Sequence, residues 1–306
     1  MVSQQLYSYV SQNSPYRIKE STILLEGARF TTCKATVESG ETVLLKYYTK
    51  MDYDEPFHLQ REIQQLSLLK DLHYTPTLLA SDIDYASNRG FIITSFEKGE
   101  TLTPQTLSET TLLERIATAL REIHTTPIPE THLFGKYGSE GHGLVFDSQR
   151  ALEKLTYSKK YIEILENAMK VLSQETEPIQ GVTHGDIIPS NVLYDTETNT
   201  VTAIIDWEFS GHSDIQLDIA KAELRNIHLF ADTYNYHSRI SSVKQAINQF
   251  RSAYGEELST QRIYAYKQLF CLRELGITEK FRTESNCPQA ELQKWRTILQ
   301  NIEPRY

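Results

Sequence analysis

Two short segments, residues 183–191 and 203–208, carry carboxylate and amide side chains next to apolar runs. In the first segment Asp186 and Asn191 lie five residues apart, and in the second an apolar run ends at Asp206. A carboxylate can orient a hydroxyl group and accept its proton, while an uncharged oxygen donor and a further carboxylate can hold Mg²⁺ against nucleotide phosphates. These three side chains, in that order, therefore predict a phosphoryl-transfer site.

The elements around these side chains must bring them together. Residues 192–194 and 203–205 are apolar and predict two strands, and the polar residues 195–200 between them predict a turn. Such a hairpin would hold the three side chains near one another. The five-residue spacing is also the one that separates the base from the metal-binding amide in the catalytic loop of protein kinases.

These motifs resemble the aminoglycoside phosphotransferase and choline kinase superfamily of small-molecule kinases. The resemblance rests on His184-Gly185-Asp186-x-x-Pro189-x-Asn191 and on Ile205-Asp206-Trp207-Glu208. Pro189 distinguishes the first motif from the protein-kinase loop, and the second motif stands where protein kinases carry Asp-Phe-Gly. Ile188 and Ser190 replace the His and Gly of many members, at positions that supply no catalytic group.

The resemblance implies an α+β, bilobal, protein-kinase-like fold. Residues 1–96 would form a small N-lobe with an antiparallel sheet and a helix, and residues 97–306 a larger, mainly helical C-lobe. Apolar patterns and turns predict the N-lobe elements. These are a short helix at 4–12, a strand that starts at 23 and runs into a loop within 23–30, strands at 31–37 and 42–48, a helix at 56–72, and strands at 77–85 and 90–96.

The N-lobe would hold the nucleotide. Lys46 ends an apolar strand, where a kinase places the lysine that contacts the α- and β-phosphates, and Glu62 on the following helix is its expected partner. The turn at 27–33 has one glycine and no GxGxxG pattern. The resemblance implies that backbone groups of Ser95 and Glu97 contact the purine, which leaves ATP and GTP both open as donors alongside Mg²⁺.

Helical spacing continues through the rest of the chain. Helices are predicted at 109–125, at 151–175 as one long or two shorter helices, and at 215–228, 243–254, 259–275 and 290–302. Residues 127–146 are rich in Gly, His and Pro and predict a loop, whose histidines fit no tetrahedral metal template. His124 is expected to be a packed structural residue. Asp218 matches the family's Asp-Leu-Ala acid, which braces the catalytic segment.

The acceptor would bind on C-lobe helices, where acidic and aromatic side chains are the candidates. The residues chosen are Asp214, Glu223, Tyr234 and Glu274, with Glu256 and Glu257 as further candidates. The resemblance and the acidity of the chain favour a small, cationic hydroxyl compound, with an aminoglycoside antibiotic first. Macrolide, choline, amino-alcohol and sugar acceptors remain alternatives.

The amino-acid composition limits the binding partners and the cellular location that we expect. The net charge of −9 argues against nucleic acid and anionic membrane as partners, since both select basic patches. No apolar run approaches the roughly 18 residues of a membrane span, and the N-terminus shows no secretory signal. Three widely spaced cysteines, Cys33, Cys271 and Cys287, are expected to be free thiols in a reducing cytoplasm.

Two other functions fit part of the pattern. A non-catalytic nucleotide-binding protein could keep the fold, although Lys46, Glu62, Asp186, Asn191 and Asp206 are all present. A protein kinase is disfavoured by Pro189 and by the short segment between Asp206 and the helix predicted at 215–228, which leaves little room for a regulatory loop.

Overall fold

The computed structural model describes most of the 306-residue chain. The described residues are 4–26, 30–48, 55–103, 110–128, 140–155, 159–174, 178–228, 240–255, 258–284 and 289–302. All structural statements below refer to these ranges.

Groups of strands and groups of helices follow one another up to residue 214, and the described residues after it are mainly helical. The strands are β1 (Ile18–Glu26), β2 (Thr31–Val37), β3 (Thr42–Tyr48), β4 (Leu78–Asp84), β5 (Arg89–Ser95), β6 (Glu100–Thr101), β7 (Gln180–Thr183), β8 (Val192–Asp195), β9 (Thr200–Ile204) and β10 (Gly211–Asp214). The α-helices are α1 (Gln4–Asn13), α2 (Glu55–Leu68), α3 (Thr110–His124), α4 (Glu140–Lys154), α5 (Lys159–Gln174), α6 (Gln216–Ala222), α7 (Ile240–Tyr254), α8 (Thr260–Glu284) and α9 (Gln289–Asn301). Short 3₁₀ turns cover Pro189–Asn191 and Trp207–Phe209, and a π-helical turn covers Glu223–His228.

The chain divides into two compact units. Unit 1 comprises residues 1–101 together with 191–210, and unit 2 comprises residues 102–190 together with 211–306. The hairpin β8–β9 and the 3₁₀ turn after it therefore belong to unit 1, whereas β7 and the residues up to Ser190 belong to unit 2.

An antiparallel sheet in the order β1-β2-β3-β5-β4 forms the body of unit 1. Alternate residues of a strand point to opposite faces, so Cys33, Ala35 and Val37 of β2 share one buried face and pack with α1. Leu45 and Tyr47 of β3 belong to the same core. Lys46, which lies between them, consequently points to the other face.

A second antiparallel sheet, β6-β8-β9, also belongs to unit 1. The hairpin predicted at 192–205 is present as β8 and β9, with Val192 opposite Ile204. The N–H group of Ile204 donates to the carbonyl of Tyr74, at 2.7 Å, and ties the end of β9 to the chain that follows α2.

Helix α8 is the centre of unit 2, because α4, α5, α6 and α9 all pack against it. Its buried residues include Ile263, Tyr266, Phe270 and Leu272, which lie on more than one face, as expected for a helix enclosed by neighbours. Next to these helices β7 pairs with β10 in an antiparallel ladder.

Two element predictions were wrong in ways that packing explains. The first strand begins at Ile18 rather than 23, because β1 bonds only to β2 and an edge strand does not need an apolar face; Leu24 and Leu25 are in fact exposed. Residues 140–146, predicted as loop, begin α4. Their two glycines disfavour a helix by about 1 kcal/mol each, and the burial of Leu144 and the packing of α4 on α8 offset this.

Further along, the segment after Asp206 is short, as predicted. It folds into the 3₁₀ turn and β10 before α6 begins at Gln216. Among the described residues, no helix is both long and apolar enough to cross a membrane.

The contact between α4 and α8 depends on Gly276. A Cβ atom at this position would lie 2.5 Å from the Cα atom of Ala151, so one helix would have to shift. We expect Gly276→Ala to lower the free energy of unfolding by about 1–3 kcal/mol, because overpacking outweighs the gain in helix propensity. Urea denaturation measures the change.

Gly211→Ala is the matched control, because a Cβ atom there meets nothing within 4 Å. A Gly276→Ala variant as stable as the wild type would contradict the close approach of these helices.

Candidate active site

Lys46 lies at the centre of a buried group of charges in unit 1. Its Nζ is 2.8 Å from Glu62 Oε2 and 2.7 Å from Asp206 Oδ1. The Oε2 atom of Glu208 lies 3.9 Å from the same nitrogen. The ring of Phe30 covers it, with the ring centroid 3.8 Å from Nζ. One ammonium group is therefore surrounded by three carboxylates and an aromatic face.

Three elements position this group, which we call the Lys46 cluster (Lys46, Glu62, Asp206 and Glu208). Lys46 comes from the face of β3 opposite the α1 core, and Glu62 comes from α2. Asp206 and Glu208 come from the 3₁₀ turn after β9, which packs against α2. The turn is anchored by Trp207, whose buried indole N–H donates to the carbonyl of Ile204 at 2.8 Å.

The charge balance of the Lys46 cluster favours a bound cation. Burial alone would lower the pKa of the Lys46 ammonium, but Glu62 and Asp206 raise it well above its ordinary value. Lys46 is thus positively charged at neutral pH. Burial raises the pKa of the Glu62 carboxyl group. The cluster still places three carboxyl groups around one cation, an arrangement that suits a divalent metal ion.

Asn191 and Asp206 are the side chains that could hold this metal. The N–H group of Ile205 donates to the carbonyl of Asn191 at 2.9 Å, so Asn191 lies beside the residue that precedes Asp206. The side chain of Asp206 is 27% exposed, and its backbone is left-handed, with φ 70°. Such a backbone is uncommon outside glycine and marks functional turns. An amide oxygen and a carboxylate oxygen are donors that suit Mg²⁺, whose remaining ligands are usually water and phosphate.

Within the described ranges, no group of three or more His, Cys, Asp and Glu side chains has the geometry of a metal site. A protein-only metal cage is therefore not present there. The donor set of Asn191 and Asp206 instead fits an ion that takes part of its coordination from a nucleotide.

In unit 2, the segment that carries Asp186 is held by a buried carboxylate, Asp218 of α6. The backbone N–H groups of His184 and Gly185 donate to its Oδ2 and Oδ1 atoms, at 2.6 and 2.8 Å. The Nε2 atom of His124 lies 3.2 Å from Oδ2. Asp218 and His124 are both buried, so this network fixes the backbone immediately before Asp186.

Gly185 is required by the shape of this segment. Its φ of +81° is left-handed, and its N–H and C=O groups both take part in hydrogen bonds, to Asp218 and from Lys221. The N–H group of Asp186 donates to Nδ1 of His184 at 3.1 Å. The predicted motif thus folds into a tight turn that presents the Asp186 side chain.

Lys221 holds the Asp186 carboxylate in its charged form. Its Nζ lies 2.6 Å from Asp186 Oδ1 and donates to the carbonyl of Gly185, also at 2.6 Å. Burial alone would raise the pKa of Asp186, but Lys221, together with His184 and Arg225, holds it below its usual range. The Asp186 side chain is 20% exposed, so the protein encloses the ionised carboxylate only in part.

The two predicted purine-contacting residues lie at the end of β5. The N–H group of Ser95 already donates to the carbonyl of Thr77, at 2.9 Å, and the hydroxyl of Ser95 donates to the Glu97 carboxylate. Their role with a nucleotide stays a prediction.

The predicted acceptor residues in unit 2 are engaged in ion pairs. Asp214 pairs with Arg262, at 2.8 Å, and accepts from the Tyr266 hydroxyl. Glu223 and Glu274 each pair with two cations. The partners of Glu223 are Arg251 and Lys267, and those of Glu274 are Arg225 and Arg273. Tyr234, Glu256 and Glu257 lie outside the described residues.

Several residues of these networks were not chosen from the sequence, among them Lys221, Glu208 and Phe30. Lys221 lies three positions after Asp218, a spacing that puts both side chains on one face of a helix, and this could have revealed it. Glu208 belongs to the quoted Asp-Trp-Glu motif and joins the Lys46 cluster. Nothing in the sequence pattern pointed to Phe30.

Comparison with known proteins agrees with these motifs. Residues 21–234 match the sequence model of a family described as "Phosphotransferase enzyme family". A protein of Arabidopsis thaliana named "Probable choline kinase 3" is 26% identical over 192 residues, which cover 60% of this chain and 49% of that protein. The chain thus spans about half the length of this relative.

Solved structures show the same fold at low sequence identity. The aminoglycoside phosphotransferase APH(4)-Ia, in ternary complex with ADP and hygromycin B, has a TM-score of 0.66 and 16% identity over 98% of each chain. An ethanolamine kinase of Plasmodium vivax has a TM-score of 0.66 and 16% identity over 93% of this chain and 82% of that one. The amicoumacin kinase hAmiN, with AMP-PNP and Ca²⁺, has a TM-score of 0.70 and 16% identity over 99% and 96%. The resemblance and the kinase-like α+β fold inferred from the sequence are confirmed.

The contact between Lys221 and Asp186 should have a measurable effect on the pKa of the Asp186 carboxyl group. In Lys221→Met the attraction is lost while the burial remains, so we expect the pKa of the Asp186 carboxyl to rise. Carbon-13 NMR of the aspartate carboxyl groups measures it, with Asp186→Asn to assign the resonance. Lys170→Met, which removes an exposed lysine of α5, is the control and should leave this pKa unchanged. An Asp186 pKa that is the same with and without Lys221 would contradict the proposed electrostatic role.

Proposed function

Because the chain belongs to the phosphotransferase enzyme family, we propose that it transfers the γ-phosphoryl group of ATP or GTP to a hydroxyl group of a small molecule, with Mg²⁺ as cofactor. The observation that carries this proposal is the Lys46 cluster. A buried lysine fixed by one carboxylate from α2 and by another that follows β9 is the arrangement that positions nucleotide phosphates in kinases.

Three residues of the cluster and the nearby Asn191 have roles in this proposal. Lys46 neutralises charge on the α- and β-phosphates, and Glu62 keeps the ammonium group in place. Asn191 and Asp206 hold the metal ion, which would supply charge neutralisation on the phosphate oxygens when bound. Asp206 contacts Lys46 directly, so a nucleotide or metal that binds here must compete for the same carboxylate.

Asp186 is the proposed base. An acceptor hydroxyl within hydrogen-bond distance of its carboxylate would be oriented and would lose its proton to it. As the new P–O bond forms, the bond from the γ-phosphorus to the bridging oxygen breaks and ADP or GDP leaves. Lys221 and Asp218 support this role, because they keep the carboxylate ionised and its backbone fixed. Catalysis of this kind consists mainly of positioning and charge stabilisation.

The purine would be held by backbone groups near Ser95 and Glu97, so the side chains do not decide between ATP and GTP. The division into an N-lobe of residues 1–96 and a C-lobe of 97–306 is part of the same proposal. So is a cytoplasmic location, which suits the buried free thiols of Cys33 and Cys271.

The acceptor is the finer part of the proposal. An aminoglycoside is the first compound to test, and hygromycin B is present in one similar structure. Choline and ethanolamine are alternatives, since the names of a sequence relative and of a similar structure contain them. Macrolides and sugars complete the set.

A coupled assay of ADP or GDP release tests the proposal. We expect Mg²⁺-dependent release that one of these acceptors stimulates, and Asp186→Asn to lower kcat by about 10²- to 10⁴-fold, because the hydroxyl loses its base. Nucleotide affinity should change little, since Lys46, Asn191 and Asp206 are intact. Asp147→Asn, on the exposed side of α4, is the matched control and should behave as wild type.

Unchanged turnover in Asp186→Asn would remove Asp186 from the role of base. Nucleotide binding without transfer to any acceptor or to water, under all conditions, would instead support the non-catalytic alternative.

A further inference from the structure

The carboxylates that the sequence suggested for a cationic acceptor are already neutralised within unit 2. Asp214 faces Arg262, with Nε and Nη2 at 2.9 and 2.8 Å from Oδ2. The side chain of Glu223 is 0% exposed and binds both Arg251 and Lys267. Because the paired cations compensate the charge of these carboxylates, they would attract a cationic acceptor only weakly.

Beside Asp186 the balance of charge is positive. Lys221 pairs with Asp186, and Arg225 and Arg273 each place an Nη2 atom 2.9 Å from Glu274 Oε1. These side chains form one group, which we call the Arg225 cluster (Asp186, Lys221, Arg225, Arg273 and Glu274). It contains three cations and two carboxylates.

Aromatic rings join the members of the Arg225 cluster. The Phe270 ring centroid lies 5.3 Å from Lys221 Nζ and 5.5 Å from the guanidinium carbon of Arg273. The guanidinium group of Arg225 lies 5.0 Å from the centroid of Trp295. The rings thus lie beside cations that come from α6, from the π-helical turn after it and from α8, and the cluster is contiguous with Asp186.

The two arginines are partly exposed, and only some of their N–H donors contact Glu274. Their side chains are 26% and 24% exposed, whereas Lys221 is 5% exposed. Each guanidinium group has five N–H donors, and Glu274 takes one Nη2 contact from each. The Nε atom of Arg273 is buried and has no acceptor among the described residues. Planar, preorganised donors of this kind suit carboxylate and phosphate groups.

We propose that the acceptor carries an anionic group, a phosphate or a carboxylate, which Arg225 and Arg273 bind while Asp186 faces its hydroxyl. This rests on the proposed function, because it takes Asp186 as the base. A polycation such as an aminoglycoside would meet like charge at this position, so this proposal favours an anionic acceptor over the aminoglycosides, choline and ethanolamine of the assay described above.

Binding of small probes tests the charge preference without the true acceptor. Glycerol 3-phosphate and glycerate each carry a hydroxyl and an anionic group, glycerol is the neutral match, and ethanolamine is the cationic match. Isothermal titration with wild-type protein should show binding of at least one anionic probe, with glycerol and ethanolamine about tenfold weaker or worse. Comparison of the two anionic probes separates phosphate from carboxylate recognition.

Substitutions locate the binding. We expect Arg225→Gln and Arg273→Gln each to weaken the anionic probe by about tenfold, since a charged hydrogen bond is lost. Glu274→Gln keeps both arginines and removes a negative charge, so it should tighten anion binding. A purely structural Glu274 would give the opposite result. Arg115→Gln, on the exposed side of α3, is the control and should have no effect.

Three results would overturn the inference. They are ethanolamine that binds as tightly as the anions, no binding of either anion, and anion binding that becomes weaker in Glu274→Gln. If an arginine variant unfolds, as judged by circular dichroism, the Glu274→Gln result still decides. None of these titrations depends on turnover. Failure of the phosphotransferase proposal would appear separately, as nucleotide binding without transfer to any acceptor or to water.

Discussion

The hydrogen bonds from two backbone N–H groups to the Asp218 carboxylate are the constraint on which unit 2 depends. A fully buried carboxylate is unfavourable unless it is compensated. Burial alone would raise the pKa of Asp218, but the bonds from His124 and from the His184 backbone hold it below its usual range. Because that compensation requires one backbone path through His184 and Gly185, the position of Asp186 follows from it. Lys221, three residues along the same helix, then fixes the charge of Asp186.

The Lys46 cluster of unit 1 also compensates buried charges, but there the carboxyl groups outnumber the cations. One buried ammonium group holds several carboxyl groups together, an arrangement that suits a metal ion. In unit 2 the Arg225 cluster has an excess of positive charge, although the whole chain carries −9. Net charge is a sum over the surface and does not determine the charge beside a functional group. The local balance is what bears on nucleotide, metal and acceptor.

Part of this arrangement could be predicted from the sequence, because strand alternation and short motifs involve residues that are close together along the chain. Lys46 on β3 and Asp206 after β9 were found in this way, and the structure brings them within 2.7 Å of each other. The partners of Asp214, Glu223 and Glu274 depend on how α7 and α8 pack, and local sequence patterns do not predict this packing. The same applies to α4, which begins with a glycine-containing stretch and is helical because the helix packs against α8. The catalytic and binding roles of these residues stay predictions.

Calorimetric titration of ATP and GTP, with Mg²⁺ and with a chelator, is the measurement that tests the metal–nucleotide site most directly. It needs no knowledge of the acceptor. We expect at least one nucleotide to bind with Mg²⁺, to lose most of its affinity when the metal is removed, and to bind more weakly to Asp206→Asn. Absence of binding with Mg²⁺, or binding that neither the metal nor Asp206 affects, would contradict the assignment of the Lys46 cluster as the site of the phosphoryl donor.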